Sequence, residues 1–224
     1  MTPHPLRLVI FDCDGVLVDS EGPAARVTAH EVSRLGWPMT PAQAQTRFMG
    51  LRLSDMPAIV AAETGRPVPP GLVAHICDRL IETLSHEAEP MPGAADALRA
   101  TTALGLPYRV ASNSSHEEMD VKFARTGLAP LVKGRIHSAR DVPRGKPAPD
   151  VFLAAAAAEG IPFAACIVIE DSLPGIAAAR AAGMVCIGLA PHGNGATLRA
   201  AGAHPIQSLA ELPALLRTAM HTAA

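Results

Sequence analysis

Hydrophobic residues recur along the chain with two different periods, which predict two kinds of structure. Four consecutive apolar residues at 8–11 form a run that is too short for a helix and rich in β-formers, which predicts a buried strand. From residue 20 to about 90, apolar residues instead recur at intervals of three and four, as at Leu72, Ile76 and Leu80. That spacing is typical of amphipathic helices, so the first strand is predicted to lead into a helical segment.

A Pro-rich break at residues 90–93 separates this helical segment from the remainder of the chain. Beyond the break, short apolar runs at 108–111, 135–137, 166–169 and 184–188 alternate with amphipathic or alanine-rich stretches. Such alternation predicts right-handed crossover connections and a parallel sheet with helices on both faces. The break is therefore predicted to be a domain boundary.

Composition and charge narrow the functions open to such a chain. Hydrophobic residues make up 49% of its 224 residues, enough to fill a sizeable core. Nineteen basic residues accompany 21 acidic ones without a Lys/Arg run, so nucleic acid is not expected as a partner and small-molecule chemistry is favoured. We find no secretory leader and no apolar run of about 20 residues, and so expect a cytoplasmic protein without a membrane partner. Four scattered cysteines are expected to be buried thiols: Cys13, Cys77, Cys166 and Cys186.

Polar residues follow several of the predicted strands at the point where each strand ends. Two acids separated by one residue follow the first strand, a hydroxyl follows the second, and a pair of acids follows the run at 166–169. A lysine lies in a Pro-rich loop that enters a helix. Because the carboxyl ends of parallel strands lie on one edge of a sheet, these side chains are expected to converge. The set consists of Asp12, Asp14, Ser112, Lys146, Glu170 and Asp171.

Carboxylates, a lysine and a hydroxyl together suit metal-assisted phosphoryl transfer. Two carboxylates as close as those of Asp12 and Asp14 repel each other unless a cation lies beside them, and Mg²⁺ is the obvious candidate. Aspartate is a known nucleophile toward phosphorus, and a second acid nearby can move the proton of the leaving oxygen. A calcium loop is disfavoured, because that motif needs a third ligand before its glycine and a closing glutamate.

Four stretches resemble the signature motifs of the haloacid dehalogenase superfamily, in that family's order and spacing. They are Asp-Cys-Asp-Gly-Val-Leu-Val-Asp-Ser-Glu at 12–21, Ala-Ser-Asn-Ser at 111–114, Lys-Pro-Ala-Pro-Asp at 146–150 and Glu-Asp-Ser-Leu-Pro-Gly at 170–175. The resemblance covers essentially the whole chain and is to the phosphoglycolate phosphatase and beta-phosphoglucomutase branch. It implies an α/β fold with a Rossmann-like parallel-sheet core, residues 1–19 and 91–224, and an inserted all-helical cap domain, residues 20–90.

The resemblance also implies a role for each matching residue. Asp12 would be the nucleophile and a metal ligand, and Asp14 the general acid and base that also offers its backbone carbonyl to Mg²⁺. Ser112 would bind the phosphoryl group with help from the Asn113 amide, and Lys146 would bridge phosphate and nucleophile. The metal site would be completed by Asp171, and by Glu170 directly or through water.

These roles predict an Mg²⁺-dependent phosphatase acting on a small phosphorylated metabolite, such as a sugar phosphate or phosphoglycolate. A phosphosugar mutase and a non-catalytic phospho-ligand-binding relative are the alternatives. Beta-phosphoglucomutase-like members carry a histidine where this chain has residues 22–25, Gly-Pro-Ala-Ala, so hydrolysis is favoured. Arg52 or Arg47 is a candidate contact for a substrate carboxylate or distal phosphate. We expect a monomer.

Overall fold

A six-stranded parallel sheet forms the centre of the computed structural model, which describes residues 5–48, 50–191 and 193–221. Its strands are β1 (Leu8–Phe11), β4 (Tyr108–Ser112), β5 (Ile136–Ser138), β6 (Cys166–Glu170), β7 (Val185–Leu189) and β8 (His204–Ile206). The strand order is β5-β4-β1-β6-β7-β8, so β1 is central and every neighbouring pair runs parallel. A two-stranded antiparallel sheet is formed by β2 (Val18–Asp19) and β3 (Glu89–Pro90).

Helices cover both faces of the large sheet. Side chains alternate along each strand, so apolar residues point to both faces and each face must be covered. In β1, Val9 and Phe11 pack on one side, whereas Leu8 and Ile10 pack on the other. The first side is covered by α5 (Ala94–Ala103), α6 (His116–Arg125) and α11 (Leu212–His221), with α7 (Ala129–Val132) beside them. The second side is covered by α8 (Asp150–Ala158), α9 (Leu173–Ala181) and α10 (Gly195–Ala200). This arrangement confirms the predicted α/β class and the parallel sheet.

The segment between β2 and β3 is helical, as its hydrophobic spacing predicted. It contains α1 (Glu21–Arg34), α2 (Pro41–Phe48), α3 (Met56–Thr64) and α4 (Leu72–Glu87). In this segment α1 packs against both α2 and α4, and α4 also packs against α6 of the sheet-bearing part. The pairing of β2 with β3 brings the two ends of the segment side by side. Strands of two residues have no recognisable period, which is why the sequence did not predict them.

Two further details concern the start of α6 and the exposure of the cysteines. Helix α6 begins at His116, because the Ser115 side chain caps it by accepting the backbone N–H of Glu118. The expectation that all four cysteines are buried is wrong for Cys77, which is half-buried on α4, although all four are free thiols. Within the described ranges, no helix is both long and apolar enough to cross a bilayer.

Candidate active site

Asp12 and Asp14 lie on the loop that leaves the C-terminal end of β1, the strand between β4 and β6. The backbone N–H of Asp12 donates to the carbonyl of Ile169 on β6 (2.9 Å), which extends the strand pairing as far as the first acid. Gly15 then turns the chain with a φ of +74°, a conformation that favours glycine. A side chain at Gly15 would also overlap the carboxylate of Asp171. The turn therefore brings the acids after β1 and β6 together.

Lys146 joins two of the predicted acids. Its ammonium donates to Asp12 Oδ1 at 2.6 Å and to Glu170 Oε1 at 2.7 Å, and it lies 4.8 Å from the centre of the Phe152 ring. The lysine is 3% exposed, and burial by itself lowers the pKa of an ammonium. The negative charges of Asp12 and Glu170 outweigh burial, so the pKa of Lys146 is raised and the side chain stays charged.

Glu170 is fully buried at the end of β6 and organises the turn that follows. Its Oε2 atom accepts from the backbone N–H groups of Asp171 and Ser172 and from the Ser172 hydroxyl, each at 2.9 Å. The same hydroxyl caps α9 by accepting from the backbone N–H of Gly175. Both oxygens of Glu170 are therefore engaged, one by Lys146 and one by the turn.

The donor set fits a divalent cation that prefers oxygen ligands. Asp12, Glu170 and Asp171 each place one carboxylate oxygen so that all three lie within 4.8 Å of one another. Burial, and then the charge of Glu170, raise the pKa of Asp12 to about 8 and hold the pKa of Asp171 well above its usual value. Without a cation, the negative charge of these acids thus exceeds what Lys146 neutralises. Mg²⁺ is suited to such an all-oxygen site.

Asp14 has a separate set of partners. Its Oδ1 atom accepts from the ammonium of Lys122 (2.6 Å) and from the hydroxyl of Ser20, the residue that precedes α1. Its Oδ2 atom is within hydrogen-bond distance of the hydroxyls of Ser114 (3.0 Å) and Ser112 (3.3 Å). Burial raises the pKa of Asp14, but Lys122 and the hydroxyls of Ser20 and Ser114 lower it further than burial raises it. The carboxylate form is therefore favoured.

Sequence reasoning missed Lys122 and Glu118, which supply this second set of contacts from α6. Lys122 is 1% exposed and pairs with Glu118 Oε1 at 2.5 Å as well as with Asp14. In the sequence, a glutamate followed four residues later by a lysine is typical of an exposed helix pair. The Ala-Ser-Asn-Ser motif contained Ser114, but no role was assigned to it. Only the packing of α6 against the sheet shows that these side chains face the site.

Asn113 connects the loop between α2 and α3 to the loop that carries Lys146. Its side-chain N–H group donates to the carbonyl of Gly50 (2.8 Å), and its side-chain oxygen accepts the backbone N–H of Lys146 (2.9 Å). The methylene groups of Arg52 lie so close to Gly145 that a side chain at Gly145 would collide with them. The helical segment therefore contacts the sheet-bearing part directly beside the acids.

A cavity of about 170 Å³ lies between these two parts of the chain. All the predicted site residues of the sheet-bearing part line it except Glu170, which lies buried beneath. Arg52 lines the cavity and pairs with Asp55 (3.3 Å), whereas Arg47 is exposed on α2 outside the lining. The helical segment contributes a mixed wall made of Glu21, Ala24, Ala25, Thr28, Ala44, Gln45, Phe48, Leu53, Met56 and Leu80.

Comparison with known proteins identifies the family of the chain. A family model described as haloacid dehalogenase-like hydrolase matches residues 6–183. The chain belongs to the haloacid dehalogenase-like hydrolases. Among individual proteins, the chain is similar to the 6-phosphogluconate phosphatase of Escherichia coli strain K12. The two are 30% identical over 180 residues, which make up 80% of each protein.

Two further matches differ in how much of the other protein they cover. The chloroplastic protein SUPPRESSOR OF QUENCHING 1 of Arabidopsis thaliana is 32% identical over 201 residues, which make up 87% of this chain but 19% of that protein. The chain thus spans about a fifth of that relative. A crystal structure of a haloacid dehalogenase family hydrolase from Deinococcus radiodurans R1, with bound phosphate and sodium, is 35% identical with a TM-score of 0.76. That match covers 98% of this chain and 99% of the other.

Family membership confirms the resemblance seen in the four motifs. It also confirms the Rossmann-like α/β fold and the predicted enzyme class, a haloacid dehalogenase-like phosphoric monoester hydrolase. The structure brings Asp12, Asp14, Ser112, Lys146 and Asp171 to one cavity. Their individual roles remain predictions.

Proposed function

We propose that the chain is an Mg²⁺-dependent phosphatase that hydrolyses a small phosphorylated metabolite through an aspartyl-phosphate on Asp12. One observation carries the proposal: the Asp12 carboxylate lines a cavity, is paired with Lys146 at 2.6 Å, and shares an oxygen cluster with Glu170 and Asp171. This combination offers a nucleophile, a fixed cation and a metal-binding oxygen set at one point. Phosphoryl transfer depends on such positioning and charge neutralisation.

Asp12 and Asp171 would hold Mg²⁺, together with the backbone carbonyl of Asp14. Glu170 is expected to contact the ion through water, because both of its oxygens already accept hydrogen bonds from protein groups. When bound, Mg²⁺ would neutralise phosphate oxygens and reduce their repulsion by the carboxylates. Lys146 would contribute a second positive charge to the same phosphoryl group. The hydroxyl of Ser112 and the backbone N–H of Asn113 would bind its remaining oxygens.

Asp12 and Asp14 would divide the two chemical steps. In the first, Asp14 takes up a proton when the phosphate ester binds as its monoanion. An Asp12 oxygen then bonds to phosphorus while the bond from phosphorus to the ester oxygen breaks, and that oxygen leaves with the proton from Asp14. In the second, water bonds to phosphorus and gives a proton to the Asp14 carboxylate, as the bond from phosphorus to Asp12 breaks. Inorganic phosphate leaves with the proton that Asp14 took from water, and both acids return to their starting states.

The cavity supports a small substrate and a covering role for the helical segment. Its volume of about 170 Å³ is below the roughly 300–1,000 Å³ of pockets for drug-sized ligands. We propose that residues 20–90 act as a cap whose contacts at Gly50 and Arg52 keep water from the phosphoryl group. A sugar phosphate suits the mixed polar and apolar wall, and Arg52 would meet a distal anionic group. A cytoplasmic monomer stays the working expectation.

Hydrolysis of p-nitrophenyl phosphate with Mg²⁺, compared between the wild type and Asp12→Asn, tests this proposal. The variant should retain the far-ultraviolet circular dichroism of the wild type and lose turnover by a factor of about 10⁴ or more, because it lacks the nucleophile. Turnover within tenfold of the wild type would refute an aspartyl-phosphate on Asp12. Exposed Asp96, which pairs only with Arg99 among the described contacts, gives the matched control Asp96→Asn, which should keep full activity.

A second assay separates hydrolysis from isomerisation. No histidine lies among the described residues that line the cavity, which supports a phosphatase over a mutase of the beta-phosphoglucomutase kind. Hexose 1-phosphate should therefore yield inorganic phosphate even with a bisphosphate primer. Formation of the 6-phosphate in place of free phosphate would instead identify a mutase.

A further inference from the structure

Lys122 is a buried lysine for which the proposed reaction assigns no role. Lysine is almost never fully buried unless it is paired, and this one is 1% exposed. Its ammonium lies 2.6 Å from Asp14 Oδ1, 2.5 Å from Glu118 Oε1 and 2.9 Å from the Ser114 hydroxyl. An ammonium has three N–H donors, and here each has a partner. The side chain is thus held in one position.

The same contacts restrain Asp14 on the side away from the cavity. Asp14 lines the cavity together with Ser114 and Glu118, but Lys122 does not. Of the groups that donate to the Asp14 carboxylate, Lys122 is the charged one, and the others are the hydroxyls of serines. Hydrogen bonds from charged donors are about twice as strong as those between neutral groups. Lys122 therefore contributes most to fixing the orientation of this carboxylate.

We propose that Lys122 is a positioning residue that holds the Asp14 carboxylate where it can exchange a proton with the leaving oxygen and with water. This inference rests on the proposed phosphatase function. Proton transfer requires the acid or base to lie within hydrogen-bond reach of the reacting group. Glu118, four residues earlier on α6, fixes Lys122 in turn. The Asp14 carboxylate is thus held in place relative to α6, and Lys122 does this without contacting the substrate.

The substrate p-nitrophenyl phosphate separates this role from a general loss of structure. Its leaving group departs as a stable anion and needs no proton, so the attack by Asp12 does not depend on Asp14. Hydrolysis of the aspartyl-phosphate does depend on it, because water must lose a proton. In Lys122→Met, rapid-mixing experiments should show a burst of one equivalent of p-nitrophenol, followed by turnover lowered about 100-fold, the loss expected for a misplaced catalytic group.

Asp14→Asn provides the comparison that tests whether Lys122 acts through Asp14. The single variant should show the same burst and slow turnover, and adding Lys122→Met to it should lower turnover by less than about threefold, because effects transmitted through one group are not additive. Equal losses of burst rate and turnover in Lys122→Met, or a full 100-fold further loss in the double variant, would overturn the proposal. Lys133→Met, at an exposed lysine after α7, should behave like the wild type.

Two safeguards keep these outcomes interpretable. Lys122→Met leaves the Glu118 carboxylate, which is 13% exposed at the edge of the cavity, without its cation, and this can destabilise the fold. Lys122→Met with Glu118→Gln removes that charge, and this variant should show the same burst and slow turnover. If it folds and turns over like the wild type, Lys122 has no positioning role. Absence of p-nitrophenol release by the wild type itself would refute the proposed phosphatase instead.

Discussion

Replacing Gly175 with alanine would show how strongly the buried carboxylate of Glu170 restricts its surroundings. Gly175 is the third residue of α9, where alanine ordinarily favours a helix by up to about 1 kcal/mol. In this structure the added methyl group would overlap the Glu170 carboxylate. That carboxylate cannot move without losing Lys146 or the N–H and O–H groups of the turn at Asp171 and Ser172.

These terms give the expected size of the effect. Separating the partners of a buried ion pair costs about 3–5 kcal/mol. Subtracting the helix preference of about 1 kcal/mol leaves Gly175→Ala less stable than the wild type by about 2–4 kcal/mol. The free energy of unfolding can be measured by urea titration, followed by circular dichroism. Turnover should fall as well, because Lys146 loses the partner that helps to orient it toward Asp12.

Gly22→Ala is the matched control, since Gly22 is the second residue of α1 and is exposed. A methyl group there would meet only the guanidinium of Arg26, at 3.7 Å. This variant should be as stable as the wild type or more stable, by no more than about 1 kcal/mol. If Gly175→Ala had the same urea midpoint and slope as Gly22→Ala, Glu170 would not be held as described.

Three further outcomes are expected from other parts of the structure. In the folded protein the pKa of Asp12 is raised from 3.8 to about 8. Between these two pH values the folded protein therefore keeps a proton on Asp12 that the unfolded chain has released. The free energy of unfolding of the metal-free protein should therefore fall as pH rises through this window. Added Mg²⁺ should raise the melting temperature more at about pH 9 than at about pH 6, because at the lower pH the ion must first displace the proton from Asp12. Equal shifts of the melting temperature at the two pH values would contradict this. Asn113→Ala leaves the Gly50 carbonyl and the Lys146 N–H without their side-chain partner, which should lower the free energy of unfolding by about 1–3 kcal/mol. The variant should also be cleaved faster by a protease at Gly50, and an unchanged cleavage rate would count against the contact. Cys77 should be the one thiol that reacts readily with a disulfide reagent in the native protein, because the other three are buried, and Cys77→Ser should abolish that reaction.

The sequence predicted those site residues whose position follows from strand ends. Asp12, Ser112 and Glu170 each lie at or next to the last residue of a strand, and parallel strands bring their carboxyl ends to one edge. The position of Lys146 was predicted because it lies in a Pro-rich loop that enters a helix at the same edge of the sheet. For these residues, local patterns and one topological rule were enough.

Lys122 and Asn113 show where such reasoning stops. The face that a helix turns toward a neighbour depends on packing across the whole fold, so the glutamate and lysine of α6 have the sequence pattern of an exposed pair. The side chain of Asn113 bonds to Gly50, which is 63 residues away in the chain. No periodicity records a contact of that range. The pairing of β2 with β3 was missed because strands of two residues have no recognisable period.

Asp12 and Asp14 are one residue apart, yet each has its own lysine, and the two lysines approach from opposite sides of the sheet. Lys146 precedes α8 on one side, and Lys122 belongs to α6 on the other. Although the two acids are neighbours in the chain, each is therefore hydrogen-bonded to a different lysine from a different element. Substitutions on α6 can change the contacts of Asp14 while the hydrogen bond between Asp12 and Lys146 stays as it is, and changes in the loop before α8 can do the reverse. Variation among relatives, or design, can thus alter the surroundings of one acid from one side of the sheet and those of the other acid from the opposite side.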